Sequence, residues 1–367
     1  MSEKPWLIIS KPLRPPFRDG STVLLRDLVL HMPPGRALAY LGDPAAPLRP
    51  GLDQVIGAPP AGYAPTLGDK LRALAAMLRH PGLPVHLSFT PGKATAAVVS
   101  LLRRLQPRRL FVQSLMSSHG AESWTPLLRP LDAVIALSHG TARRLRDAGV
   151  PEAKIATIRP AVAACPADAP AAVAARKRLL YAGDLDQEIG ARLVALARAT
   201  AHSGWSLTIA CRPKTEGDAA ARAHLQRELA GDLASGRVEL LAEVADMDAL
   251  YRRSALQLFA ATHTRRKVDL PLALLEGLAR GVPAAIVDVS PAAELLHVGH
   301  DAGLRAGLAA PAEPEAFARA IAEVVHGDTV ASWSESAAAL AAREFSLAQM
   351  ASRYDALYSD LESKRRK

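Results

Sequence analysis

The chain has 367 residues, of which 49% are hydrophobic but only 4% aromatic; this describes two domains of α/β or α type better than one core or a β-sandwich. The longest apolar stretches, such as Gly281 to Val287, fall short of the roughly 20 residues of a membrane span, the opening run at Trp6 is too short for a signal-peptide core, and the two cysteines, Cys165 and Cys211, give neither a disulfide framework nor a metal site. The net charge of +9 is uneven: residues 1–165 hold 21 Lys+Arg and 10 Asp+Glu, a balance of +11, and the remainder 24 and 26, a balance of −2.

A cytoplasmic location follows as the expectation, with the inner face of a membrane open to the basic half. That half could meet anionic lipid, an anionic substrate or nucleic acid. Nucleic acid is the weakest of the three and is not expected, because the aromatic interleaving of single-strand binders and a basic recognition helix are both absent.

The chain opens as strand, loop and helix: Trp6 to Ser10 is β-rich, the next segment is rich in Pro and Gly, and Thr22 to Met32 has helical spacing. Short apolar strands follow in "RALAYLG", "PVHLSFT", "RLFVQSL" and "AVIALS", separated by helical stretches at Leu71 to Arg79, Ala94 to Leu105 and Gly140 to Ala148. Alternation of this kind predicts a parallel, doubly wound sheet. The helix from Lys70 to His80 carries apolar residues at 71, 74, 75 and 78 beside Lys70, Arg72 and Arg79, a pattern suited to an anionic lipid surface and equally to a buried helix with a basic edge.

Arg159 to Arg178 is an alanine- and proline-rich stretch and the candidate linker. A second strand series then begins: "LLYAG", "SLTIAC", "RVELLA", "LQLFA" and "AAIVD". The predicted division is 1–165, 166–344 and a closing segment 345–367. Ligands of open α/β sheets sit beyond the carboxyl ends of the strands, so two such domains predict a cleft with two substrates.

The most informative segment is "RRKVDLPLALLEGLARGVPAAIVDVSPAAELL", Arg265 to Leu296. It reads as a loop, a helix over about 272–279 with Pro271 in its first turn and Asp269 as cap, a stop at Gly281 and a buried strand. Glu276 interrupts the apolar helix surface and would need a hydrogen-bonding partner such as a sugar or ribose hydroxyl. This segment resembles the C-terminal signature of family-4 glycosyltransferases of the GT-B fold. The resemblance implies two Rossmann-like domains facing across a cleft, a C-terminal helix crossing back to the first domain, and a retaining transferase using a nucleotide sugar as donor. A glycan, lipid or small molecule is the implied acceptor, and neither a cofactor nor a metal is required; peripheral membrane contact is suggested separately, by the charge of the basic domain and the Lys70 to His80 helix.

By the same resemblance Glu276 binds the nucleotide ribose. The family's second acidic residue, eight positions earlier, falls at Val268, and Asp269 beside it is the substitute on the sugar side. Gly20 and Ser21 match the first glycine-containing loop, which approaches donor phosphate or acceptor. His119 lies near the sugar and acceptor, although a loop histidine bonded to backbone is an equal alternative. The closing helix resembles "FSLAQMASRYDALYSDL".

The stretch "YAGDLDQEIGA", Tyr181 to Ala191, stands where relatives carry "GRLxxxKG" with an arginine and a lysine on the donor diphosphate. Gly183 and Gly190 are kept, but Asp184 and Ile189 replace the two cations. Three arrangements would accommodate this. Cations could come from Arg212, Lys214 or the Arg265–Lys267 run, with Lys267 nearest the nucleotide loop, aided by a helix N-terminus at Gly190. The donor could lack a diphosphate. The chain could instead be an inactive glycosyltransferase-like scaffold that binds a glycan or a protein.

Overall fold

The computed structural model describes residues 5–11, 13, 17, 19–39, 67–116, 123–264, 268–327 and 329–366. It divides into two units: 1–161 with 265–269 and 347–367, and 162–264 with 270–346. The first boundary falls a few residues before the predicted 165. The short 265–269 segment belongs to unit 1 although the chain on both sides of it belongs to unit 2.

In chain order unit 1 contains β1 (Trp6–Ser10), α1 (Gly20–His31), β2 (Ala37–Ala39), α2 (Leu67–Arg79), β3 (Val85–Ser88), α3 (Lys93–Leu105), β4 (Phe111–Leu115), α4 (Thr125–Leu128), β5 (Ala133–Ala136), α5 (His139–Asp147) and β6 (Ile155–Thr157). Unit 2 contains α6 (Pro170–Ala175), β7 (Arg178–Ala182), α7 (Gln187–Ala199), β8 (Ser206–Ala210), α8 (Glu216–Glu228), α9 (Ala230–Ala234), β9 (Val238–Leu241), α10 (Met247–Arg252), β10 (Leu256–Phe259), α11 (Leu272–Ala279), β11 (Ala284–Val287), α12 (Glu294–Asp301), β12 (Gly307–Ala310), α13 (Pro314–Val325) and α14 (Thr329–Glu344). The last helix, α15 (Leu347–Arg366), returns to unit 1.

Both sheets are wholly parallel and six-stranded. Their orders are β2-β1-β3-β4-β5-β6 and β12-β11-β10-β7-β8-β9. The strand and helix ranges read from the sequence fall on these elements. β6 and β12, of three and four residues, are additions at sheet edges, and α6 forms inside the predicted linker.

The two-residue period of the strands sorts the core of unit 1. Leu7, Ile9, Val85, Leu87, Phe111 and Leu115 join one apolar cluster with Ala76 and Met77 of α2 and Val99 and Leu102 of α3. The alternate residues Trp6, His86 and Ser114 meet α15. Trp6 stacks on Tyr358 with ring centroids 3.9 Å apart, and its Nε1 donates to Glu362 Oε1 at 2.9 Å. Tyr358 Oη lies 2.7 Å from His86 Nδ1, His86 Nε2 lies 2.8 Å from Ser114 Oγ, and Ser114 Oγ lies 3.0 Å from Tyr354 Oη. Burial holds the His86 ring neutral, with its pKa pushed down to about 3, and pushes the Tyr354 phenol up to about 12. Arg36 completes this face through Asp355 at 2.6 Å and Glu362 at 3.1 Å.

Most strands of unit 2 are near-continuous apolar runs, as parallel strands covered on both faces require, while Arg178, Thr208 and Glu239 hydrogen-bond across β7, β8 and β9. α7 packs on α13, and α14 on α6 and α11. Gly281, at φ +75°, ends α11 in a left-handed turn at the predicted stop and delivers the chain into β11.

Candidate functional site

In unit 2 the strand order reverses between β7 and β10, which places the ligand-accepting crevice of such a sheet at their carboxyl ends. Gly183 to Asp186 leave β7 there, and Ala260 to Thr264 leave β10. The sequence stretch 181–191 is therefore the strand-to-helix turn at the switch point. Its helix, however, begins at Gln187 rather than at Gly190, because Asp186 is the N-cap and accepts from Ile189 N at 2.9 Å. Gly190 lies inside α7 and offers no helix N-terminus.

Each of the three acidic residues of this turn has a partner. Asp184 Oδ1 receives Lys214 Nζ at 2.6 Å, Asp186 Oδ2 lies 3.6 Å from His263 Nε2, and Glu188 accepts from Thr262 Oγ1 at 3.3 Å. The second oxygen of Asp184, Oδ2, is buried without a hydrogen-bond partner. Tyr181 donates its phenol to the backbone oxygen of Asp184. Burial pushes that phenol well above its ordinary range, and the charges of Asp184 and Asp186 push it further. Arg192, one turn after Glu188, is buried and turned onto backbone oxygens, with Nη1 3.0 Å from Ala260 O and Nε 2.5 Å from Ala312 O. It braces the ends of β10 and β12.

Lys214 is thus the described cation at the turn that relatives line with an arginine and a lysine. The β8–α8 loop delivers it, and Asp218 fixes that loop by accepting from the backbone N of both Lys214 and Thr215, at 2.9 and 3.2 Å. Arg212 lies on the same loop, 3.9 Å from Glu243, as a weaker pair.

Glu276 sits half-buried in the middle of α11. Tyr251 Oη donates to Ala273 O at 2.8 Å and approaches Glu276 Oε2 at 3.3 Å. Burial keeps Tyr251 protonated, with Glu276's charge acting in the same direction, so it serves as a donor that orients the carboxylate. Arg280 Nη1 donates to Glu276 O at 2.9 Å and ties the last turn down. Beneath the helix, Gln257 of β10 donates to Leu274 O and Val282 O, both at 2.9 Å.

Asp269 does not cap α11. The N-cap is Pro271, which makes no side-chain cap bond. The Asp269 carboxylate is instead fully buried in unit 1, where Ser138 Oγ donates to it at 2.9 Å and Thr141 Oγ1 donates as well. Ser138 is itself the N-cap of α5 and accepts from Thr141 N at 2.9 Å. The carboxylate therefore rests against a helix N-terminus, whose dipole favours its charge.

In unit 1, Gly20 is the first residue of α1. The N-cap Asp19 accepts from Ser21 N at 2.7 Å and Ser21 Oγ at 2.6 Å and pairs with Lys11 at 2.5 Å. Burial raises the Asp19 pKa, but Lys11 and Ser21 outweigh it and hold the carboxyl below its ordinary range. His119, Lys267, Arg265 and Arg266 lie outside the described residues. Among the described residues there is no group of three or more His, Cys, Asp or Glu able to hold a metal ion, and no helix is long and apolar enough to cross a membrane.

Sequence reasoning missed Tyr251, Thr262, His263 and Arg192. The available signal was topological: in a sheet that starts again at β7, the residues just after the fourth strand, Thr262 and His263, face the first turn.

Residues 176–326 match the family described as glycosyl transferases group 1. Comparison with curated protein sequences gives no match. Among solved structures, a glycosyltransferase from Rickettsia africae ESF-5 is similar over 98% of this chain and 99% of its own, with 14% identity and a TM-score of 0.68. Anabaena Alr3699/HepE in complex with UDP is similar over 97% and 100%, with 16% identity and a TM-score of 0.71. Its complex with UDP-glucose is similar over 98% and 100%, with 16% identity and a TM-score of 0.69. The chain has the GT-B fold, and its residues 176–326 match the family described as glycosyl transferases group 1.

Proposed function

We propose that the protein transfers a sugar from a nucleoside-diphosphate donor to a glycan, lipid or small-molecule acceptor, with retention at the anomeric carbon. The observation that carries this reading is Glu276, half-buried on the helix after the switch-point strand and oriented by Tyr251, within the matched residues. An ionised carboxylate only accepts hydrogen bonds, and the vicinal hydroxyls of a ribose are donors at matching spacing. The UDP and UDP-glucose held by the Anabaena neighbour make uridine the first base to test.

A departing diphosphate gathers charge that fixed cations stabilise. We assign that role to Lys214, with Arg212 on the same loop and Lys267, which precedes α11 in the sequence. Asp184 then acts as a positioning residue that holds the Lys214 ammonium at the turn. In retention without a protein nucleophile, the leaving phosphate takes the acceptor's proton, so positioning and leaving-group electrostatics supply the rate. Asp269 has no part in this chemistry, since its carboxylate is buried and bonded. The N-terminus of α1, with Gly20 and Ser21, is assigned to the acceptor side together with His119. The scheme uses no metal.

Thermal shift with uridine, guanosine and adenosine diphosphates tests the reading. A ligand at about 100 times its Kd stabilises by about 2.7 kcal/mol, a shift of several degrees. One diphosphate is expected to give it, and Glu276→Ala to abolish it. Lys214→Met should weaken the diphosphate about tenfold, the scale of one charge-assisted hydrogen bond, while leaving the bare nucleoside unaffected. If no nucleotide shifts the wild type, the chain is a glycosyltransferase-like scaffold and the proposal fails.

A further inference from the structure

At the opposite end of the unit 2 sheet from the switch point lies an open groove of about 420 Å³. Arg178, Gly236, Val238 and Glu239 line it, together with Leu233 of α9 and Arg253. Arg178 is the first residue of β7 and Gly183 follows the last, so at about 3.3 Å per residue the groove and the donor turn are roughly 16 Å apart along the strand. Ligands of such a sheet occupy the carboxyl ends of its strands, and this groove is at the amino ends.

Two arginines meet one carboxylate there. Glu239 Oε2 accepts from Arg253 Nη2 at 2.8 Å, from Thr208 Oγ1 at 3.1 Å and from Arg178 Nη1 at 3.3 Å. Three donors thus crowd one oxygen. Among the described residues Glu239 Oε1 has no donor, and the Nε and Nη2 of Arg178 and the Nε and Nη1 of Arg253 have no acceptor. Elsewhere the chain closes an ion pair differently: Arg103 lays both Nη atoms on the two oxygens of Asp132, each at 2.8 Å, the fork-on-fork match of a guanidinium with a carboxylate. Arg237, between the lining residues Gly236 and Val238, pairs with Asp232 at 2.6 Å yet buries its Nη1 without an acceptor, a cost that a bound oxygen removes.

We infer that this groove binds the phosphate group of a small phosphate monoester, with Arg178 and Arg253 as the clamp and Glu239 as the internal anion that yields to it. A phosphate monoester brings close to two negative charges and three acceptor oxygens, which suit two arginine forks better than one carboxylate does. The half-buried Leu233 gives the groove an apolar flank for the carbon part of the ligand. Pairing of an extended peptide on the edge strand β9 fits poorly, since that strand has four residues and Leu240 O already accepts from Arg222 Nη2 at 3.2 Å.

Amide NMR of the full chain, titrated with inorganic phosphate against sodium chloride of equal ionic strength, tests this without any donor or acceptor. Its outcome is thus independent of the transferase reading. Saturable shifts are expected at Gly236 and Arg253 with a Kd of about 1 mM or tighter, and they should persist in Lys214→Met, which separates the groove from the donor turn. Glycerol phosphate should bind at least as tightly as inorganic phosphate. Arg253→Gln should weaken phosphate at least about tenfold, the scale of a charge-assisted hydrogen bond. Glu239→Gln should tighten it about two- to fivefold, the scale of one exposed ion pair, with the melting temperature reporting that each variant is folded. The proposal fails if phosphate moves no amide of the groove, if it binds Arg253→Gln as it binds the wild type, or if Glu239→Gln binds it no tighter. Acetate that shifts the same amides as strongly as phosphate overturns it as well, because the groove would then be a carboxylate site.

Discussion

Two parallel sheets of equal strand number solve the problem of covering their faces differently. Unit 1 builds one face from side chains that hydrogen-bond: Trp6, His86 and Ser114 under the tyrosines of α15. Unit 2 relies on close approach, with glycines where backbone or side chain leaves no room for a Cβ: Gly277 against Gln257, Gly299 against Leu304 and Gly307 against Ala284. A polar face specifies one partner helix by geometry, since any other would leave buried groups unsatisfied. A close-packed face specifies its partner by shape. The switch point of unit 2 lies beside the second kind, in which Gly277 lets α11 sit close against Gln257 of β10.

The largest effect that would break this contrast is Gly307→Ala. Gly307 has φ +154°, and an added Cβ would stand 1.8 Å from Ala284 O in the neighbouring strand. The substitution should cost unit 2 at least about 3–4 kcal/mol or prevent its folding, read by urea unfolding. A loss below about 1 kcal/mol would show that β12 can move aside and that unit 2 is not held by close approach.

The second test addresses His86. Its folded-state pKa, about 3, lies below the ordinary 6.5, so the unfolded chain takes up the proton first. Its contribution is complete above pH 6.5 and is lost as pH falls from there toward 3, by about 1.4 kcal/mol per pH unit. His86→Gln should be less stable than wild type by about 1–3 kcal/mol at pH 7.5, with the gap closing as the solution is acidified. Parallel acid profiles for the two proteins would remove the imidazole from the account.

The smallest effects sharpen a feature the units share. Each caps the helix after its first strand with an aspartate, Asp19 in unit 1 and Asp186 in unit 2, and the turn before that helix holds a lysine on a carboxylate, Lys11 on Asp19 and Lys214 on Asp184. Asp19→Ala should cost about 1–2 kcal/mol and Asp186→Ala about 0.5–1 kcal/mol, because the Asp19 side chain is 23% exposed and the Asp186 side chain 42%. Differential scanning calorimetry reads both, and the reverse order would mean that the cap bonds, not burial, set the difference.

Much of this was legible in the sequence. Strand runs such as "WLIIS" and "AAIVD" declared themselves because parallel strands are apolar on both faces, and Gly281 marked the end of α11 because a left-handed turn favours glycine. What stayed hidden is long-range. Asp269 reads as a cap because it stands three residues before α11, but its carboxylate binds Ser138, 131 positions away. The cation opposite Asp184 is Lys214, 30 positions on and one of the candidates read from the sequence, but no local spacing selects it over Arg212. β6 and β12 are too short to show a period of their own.

Helix α15 has a consequence for how the protein is made. Trp6 leaves the ribosome 356 residues before Glu362, the residue that receives its indole N–H. At ordinary elongation rates that interval is roughly 20–70 s, during which the first sheet is present with His86 and Ser114 open to water. Unit 1 is thus begun before unit 2 and completed after it, and a message cut short before residue 347 would leave unit 2 whole and unit 1 without its cover.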